Sequence, residues 1–216
     1  MVLAVLGMAL AAGADYDPAI RLANVAGGLE VEKVGAATLT REEVLEDLLH
    51  AGAAGRPTSS AAKVLGWPAL LRELEARRRL GQRVAFTNGC FDVLHAGHVQ
   101  YLQEARAQAD VLVVGLNSDA SVQALKGAGR PVNPVEARAR VLAALESVDY
   151  LTVFEEPTPR GLIEAVRPEV LVKGADYRRE EVVGADFVEA HSGRVHLAAL
   201  QSGYSTTRLL QKLEAA

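Results

Sequence analysis

Apolar and polar positions divide the chain into two kinds of pattern. From Arg83 onward, short apolar runs alternate with stretches of helical period, the arrangement expected of a parallel α/β sheet. Strands are predicted at 83–87, 111–116, 150–154, 169–173 and 194–198, with helices at about 97–108, 118–125, 134–146, 158–166, 180–191 and 205–213. The run Val111 to Leu116 has no polar position, as befits a strand covered on both faces. Upstream the pattern is helical. Val2–Ala12 predicts a helix ended near Gly13, and Asp17-Pro18 predicts the N-cap and first position of a second helix running to about Val31. Thr40 with Glu43 predicts a capping box for a third helix, to about His50. Residues 51–66 have the Gly, Ala, Ser and Pro content of a linker. Trp67-Pro68 then opens an amphipathic helix to about Leu80, with Leu70, Leu71 and Leu74 inward and Arg77 to Arg79 as a solvated end. Trp67 reads as a packing anchor rather than a platform for a base. The expected organisation is a helical segment 1–50, a linker 51–66 and an α/β domain 67–216.

Composition narrows the function. The chain has 216 residues, half of them apolar and 23% charged, which suits a globular domain with a small extra piece. A formal net charge of −4 argues against a general nucleic-acid binder. The lone Cys90 permits no internal disulfide and suits a reducing compartment. Val2–Ala12 is too short to span a bilayer and no Lys or Arg precedes it, so no membrane attachment is expected and the cytoplasm is the expected location.

The chemistry centres on Thr87-Asn88-Gly89-Cys90-Phe91-Asp92-Val93-Leu94-His95-Ala96-Gly97-His98. This stretch joins the first strand of the α/β region to a helix, and places two imidazoles three residues apart at that helix's N-terminus. Such an end attracts phosphate, and histidine adds donors that can follow charge onto an oxyanion. Helix-cap or core histidines are the plainer alternative; a zinc site lacks a third ligand at suitable spacing.

The string G-x-F-D-x-x-H-x-G-H resembles the signature of the cytidylyltransferase-like nucleotidyltransferases. The resemblance continues through Asn117-Ser118-Asp119, Leu125-Lys126-Gly127, Arg130-Pro131-Val132-Asn133-Pro134, Glu136-Ala137-Arg138, Lys173-Gly174-Ala175-Asp176-Tyr177 and Gly203-Tyr204-Ser205-Thr206-Thr207. These are most similar to the branch of that family that adenylylates D-glycero-β-D-manno-heptose 1-phosphate. The resemblance implies a Rossmann-like nucleotidyltransferase fold with a five-stranded parallel sheet, plus a small N-terminal helical segment. It implies AMP transfer from ATP to the heptose phosphate, giving ADP-heptose and pyrophosphate for the lipopolysaccharide core. Mg²⁺ would arrive bound to the triphosphate, with no protein-held metal.

By the same resemblance His95, His98 and Lys126 would be catalytic, and Cys90, Phe91, Ser205, Thr206 and Thr207 would join them in binding the nucleotide. Asp92, Lys173, Asp176, Tyr177 and Arg138 would meet the acceptor. Each has a plainer counterpart: Lys126 as a surface lysine, Arg130 and Arg138 as surface ion pairs, Asp92 and Asp176 as turn residues, Asp119 as a helix cap, and Ser205 as a simple N-cap. Cys90 has no paired base and is not expected to be a nucleophile.

Residues 1–50 resemble the C-terminal end of a ribokinase-type sugar kinase, through Val2 to Leu6, Ala19 to Gly28, Val31 to Gly35 and Thr38 to Thr40. The expectations are a packing appendage or homodimer contact, no kinase activity in this chain, and a separate kinase supplying the acceptor. Two alternatives stay open: a cytidylyltransferase for glycerol 3-phosphate or a related alcohol, and a non-catalytic nucleotide-binding remnant.

Overall fold

A computed structural model describes residues 1–33, 38–44, 57 and 59–199, except for the side chains of Arg21 and Glu32. The chain divides into two compact units, Met1–Arg56 and Pro57–Ala216.

In the first unit, α1 (Val2–Ala11) packs on α2 (Tyr16–Glu32). Small side chains make the contact close: Ala9, Ala19, Ala23 and Ala26 are buried, and a Cβ on Gly27 would lie 2.6 Å from Val2 Cγ2. Helix α2 begins earlier than predicted, with Asp15 at the N-cap and Asp17 in the first turn. Pro18 is tolerated there because first-turn amides have no intrahelical acceptor. The predicted capping box is present, Glu43 N donating to Thr40 Oγ1 (3.2 Å) and Thr40 N to Glu43 Oε2 (2.8 Å). Residues 41–44 are helical, and the rest of that predicted helix lies outside the described residues.

The second unit is a Rossmann-like α/β fold. Its strands are β1 (Val84–Gly89), β2 (Val111–Asn117), β3 (Tyr150–Phe154), β4 (Val170–Gly174) and β5 (Arg194–Ala198), all parallel in the order β3-β2-β1-β4-β5. Before the first strand come α3 (Ser60–Lys63) and α4 (Trp67–Arg79), and between the strands run α5 (Ala96–Arg106), α6 (Asp119–Lys126), α7 (Val135–Ala143), α8 (Arg160–Val166) and α9 (Ala185–Ala190). Alternate residues of the sheet feed two cores. Phe86, Val113 and Leu171 meet Leu70, Leu74, Leu162 and Ile163 on one face. Ala85, Leu112, Val114 and Val172 meet Leu102, Ala105 and Leu142 on the other. Strand β2 is buried throughout, as its unbroken apolar run predicts.

Three expectations are corrected. The helix predicted over 180–191 is a 3₁₀ turn, Arg179–Glu181, followed by the separate α9. Gly184 between them has φ 85°, which ends helical geometry and which glycine adopts without steric cost. The last part of the stretch 51–66 is anchored rather than linker-like. Ser59 caps α3, Lys63 Nζ donates to the Leu145 carbonyl (2.9 Å), and Leu65 N donates to the Leu151 carbonyl (2.9 Å). Arg77 is not a solvated helix end: it is 6% exposed, and its Nε and Nη2 donate to the Tyr150 hydroxyl at 3.1 and 2.8 Å. Arg78 pairs with Glu169 and donates to the carbonyls of Val166 and Arg167 at the end of α8. Trp67 is the expected anchor, packed on the core with its indole N–H donating to the Val153 carbonyl. The helix predicted at 205–213 lies outside the described residues.

The Tyr150 hydroxyl also donates to Glu73 Oε2, so it is the shared centre of a mostly buried Arg–Tyr–Glu cluster. Tyr150→Phe removes one acceptor from a buried guanidinium, and a loss of about 1–3 kcal/mol is expected in urea unfolding, with the m-value unchanged.

Candidate active site

In a parallel sheet of this order, β1 feeds β2 and β3 on one side while β4 and β5 lie on the other. The direction of winding therefore reverses between β1 and β4, and the carboxyl ends of those strands flank an open crevice. The loops entering it follow Gly89 and Gly174.

The β1 loop carries the histidines. His95 is the N-cap of α5 in extended conformation, with no side-chain cap bond, and His98 stands in the first turn. The two rings stack, centroids 3.9 Å apart and planes 18° from parallel. Phe91 packs edge-on against His98 at 5.3 Å from a left-handed backbone (φ 43°), a conformation that costs a non-glycine residue energy. Gly89 allows this: a Cβ there would lie 3.0 Å from the Phe91 ring. Tyr101, one turn beyond His98, fixes the helix. Its hydroxyl is 2.6 Å from Thr87 Oγ1 and donates to the Val172 carbonyl, tying α5 to β1 and β4.

The imidazoles are held neutral. Burial lowers the His98 pKa to about 4, with the neighbouring His95 adding to the effect, and burial also lowers His95. His98 Nδ1 is buried and has no hydrogen-bond partner among the described residues. Across the crevice, Lys173 Nζ donates to Asn88 Oδ1 (2.5 Å) and lies 5.6 Å from the centre of the Tyr177 ring. Burial lowers its pKa to about 8, while Asp176 opposes the shift. The Cys90 thiol is raised by burial, against the pull of Lys126, Arg138 and Arg130, so it remains a thiol, as expected of a group that is not a nucleophile. Lys126, Arg138 and Arg130 are thus within electrostatic reach of the residue that follows β1, with Asp92 opposing them.

Of the residues expected at the site, His95, His98, Cys90 and Phe91 come together on the β1 loop, and Lys173, Asp176 and Tyr177 gather at the end of β4. Lys126 is exposed at the last turn of α6, within electrostatic reach of Cys90. Ser205, Thr206 and Thr207 lie outside the described residues. Two residues turn elsewhere. The Asp92 side chain is 1% exposed and accepts from Arg130 Nε (2.6 Å), Val132 N (2.8 Å) and Asn133 N (3.0 Å), so its lone pairs are committed. Those donors hold its carboxyl below the usual carboxylate range in spite of burial. Arg138, also 1% exposed at its side chain, donates to the carbonyls of Asn133, Cys90 and Asn117 and to Asp119 Oδ1. Both charges are met by protein partners, and both residues line a cavity with Phe91, Leu94, Asn133 and Val141. Asp119 is not a cap either, since Ser118 caps α6 through Ser121 N.

Sequence reasoning passed over Asn88 and Tyr101, and offered Arg130 only as a lesser candidate or a surface ion pair. Tyr101 was readable as the i+3 neighbour of His98 on one helix face. The partners of Asn88 and Arg130 are 85 and 38 residues away, and no local spacing announces them. Among the described residues, no group of three or more His, Cys, Asp or Glu side chains is placed to hold a metal ion. No described helix is long and apolar enough to cross a membrane.

The cytidylyltransferase-like family model matches residues 86–211. The chain belongs to the cytidylyltransferase-like family. Members of that family are nucleotidyltransferases. The chain is also 50% identical over 212 residues to "Bifunctional protein HldE" of Geobacter sulfurreducens, covering 98% of this chain and 42% of that protein. It is 49% identical over 212 residues to the protein of that name from Pseudomonas paraeruginosa, again over 98% of this chain and 44% of the relative. It therefore spans less than half the length of these relatives. The crystal structure of the lipopolysaccharide core biosynthesis protein from Thermoplasma volcanium GSS1 aligns over 58% of this chain and all of that one, at 24% identity and a TM-score of 0.47.

The depressed His98 pKa sets an acid limb to the stability of this cytidylyltransferase-like domain. Unfolded, the imidazole binds a proton near pH 6.5; folded, it does so only near pH 4. The contribution is complete above pH 6.5 and is lost as the pH falls towards 4. His98→Asn is expected to flatten that limb, measured by urea unfolding between those two pH values.

Proposed function

We propose that this chain transfers AMP from ATP to D-glycero-β-D-manno-heptose 1-phosphate, giving ADP-heptose and pyrophosphate for the lipopolysaccharide core. The observation that carries the reading is the stacked, neutral His95–His98 pair at the N-terminus of α5, on the loop after β1 where strand order reverses, with the buried amine of Lys173 bonded to Asn88 at the end of the same strand. The identity of about half over 98% of the chain to proteins called bifunctional supports it, as do the motifs shared with heptose 1-phosphate adenylyltransferases.

An oxygen of the acceptor phosphate attacks the α-phosphorus. A new P–O bond forms as the bond to the bridging oxygen breaks, and pyrophosphate leaves with that electron pair. The nucleophile is already an anion, so the protein need not remove a proton. Its work is alignment and neutralisation of charge. His95 and His98 meet the triphosphate with ring N–H groups and the helix N-terminus. A bound polyanion raises their proton affinity, turning neutral donors into charged ones where charge accumulates. Lys126 supplies a cation on a long stem from the exposed end of α6. Lys173, with Asp176 and Tyr177, recognises the acceptor, and Ser205, Thr206 and Thr207 form a second phosphate cradle. Mg²⁺ enters with ATP as part of that substrate. The acceptor comes from a sugar kinase reaction, in the cytoplasm, where Cys90 stays reduced.

Pyrophosphate release is expected with ATP and the heptose phosphate, and not with CTP and glycerol 3-phosphate; the converse result would move the acceptor class. His95→Ala and His98→Ala are each expected to lower kcat by about 10²–10³-fold, measured at saturating ATP. Activity unchanged in both would overturn the assignment.

A further inference from the structure

The expectation that Asp92 reads the sugar leaves a question, since its carboxylate is spent inside the protein. Every side-chain hydrogen bond it accepts comes from one segment, residues 130–133, and Asn133 Nδ2 returns a bond to its own carbonyl at 2.7 Å. That segment lies directly beyond Lys126. Between them stand only Gly127, Ala128 and Gly129, with φ of 91° and 83° at the two glycines. All three are exposed, as are Gln123, Ala124 and Leu125 before them, so packing restrains the last turn of α6 and its turn very little. Four Cα steps separate Lys126 from Arg130, a reach of at most about 14 Å. Whatever holds Arg130 to Asn133 therefore limits where Lys126 can go.

We propose that Asp92 is a positioning residue, a latch that clamps residues 130–133 to the histidine-bearing loop and so seats Lys126 over the phosphates. Arg138 ties the same two loops a second time, donating to the carbonyls of both Cys90 and Asn133. The histidines and the lysine then belong to one rigid framework, though they lie on different strand–helix units. Charge assistance from Arg130 makes the clamp strong, and its burial shields it from competing water. The inference rests on Lys126 acting on the phosphates.

Trypsin provides a readout apart from catalysis, because it cuts after Lys126 but not at the Arg130-Pro131 bond. In the full chain, Asp92→Asn and Arg130→Met are expected to speed cleavage after Lys126 several-fold relative to cleavage after Arg79, scored by mass spectrometry. Both are expected to lower kcat by roughly ten- to hundredfold, with a smaller rise in KM for ATP, because misplacement costs the transition state more than the ground state. Arg130→Met leaves the Asp92 bonds to the Val132 and Asn133 amides in place, so it stays informative if Asp92→Asn fails to fold. A fully active Lys126→Ala would overturn the role of the lysine, while faster cleavage in Asp92→Asn would still support the latch. Slow Lys126→Ala beside wild-type cleavage and turnover in both latch variants would overturn the latch. Slow turnover with unchanged cleavage would assign Asp92 to the substrate and overturn it as well.

Discussion

Burial of the central strands on both faces is the constraint on which the rest depends. β1 and β2 give nearly every side chain to one helical layer or the other, and only their carboxyl ends are left to carry polar groups. With β1 at the middle of the order, its loop emerges where winding reverses, beside the end of β4. The crevice is thus a consequence of topology, and the residues that finish these strands stand at its edge. Tyr101 shows how tightly the frame controls the site: one phenol, raised in pKa by burial and so kept protonated, orients α5 against two strands at once.

The crevice holds charge in an unspent form. Its histidines are neutral because desolvation opposes their protonation, and its lysine gives up part of its proton affinity for the same reason. An arriving polyanion reverses that balance by supplying the missing counter-charge. Stacking of the imidazoles at 3.9 Å suits two neutral rings, and an anion between their N–H groups and the helix N-terminus would offset the repulsion of two charged ones. A site built this way would bind an anion without first holding two charged imidazoles against each other.

Three charged side chains show where reading a chain by local pattern stops. Arg77, Asp92 and Arg138 were each assigned to solvent or substrate, and each is buried with protein partners. A charge within a helical period reads as outward because burial is costly without compensation. The compensation comes from other segments of the chain: Tyr150 for Arg77, residues 130–133 for Asp92, and Cys90, residues 117–119 and Asn133 for Arg138. Burial and pairing are decided together, and neither is visible in spacing.

By itself the sequence determined what short-range physics controls. Apolar period and turn residues placed every strand of the sheet within a residue or two, and capping chemistry located Thr40–Glu43 and the opening of the tryptophan helix. The placement of His95 and His98 at the start of α5 was legible too, because it arises from a strand, a glycine and a helix N-terminus that are adjacent in the chain. Tertiary structure decided the rest. Whether Gly184 breaks a helix, whether residues 59–66 dock on the sheet, which carboxylate is free and which is clamped, and how Lys173 finds Asn88 all depend on contacts across many tens of residues. The energy of such contacts exists only once the sheet has brought the segments together.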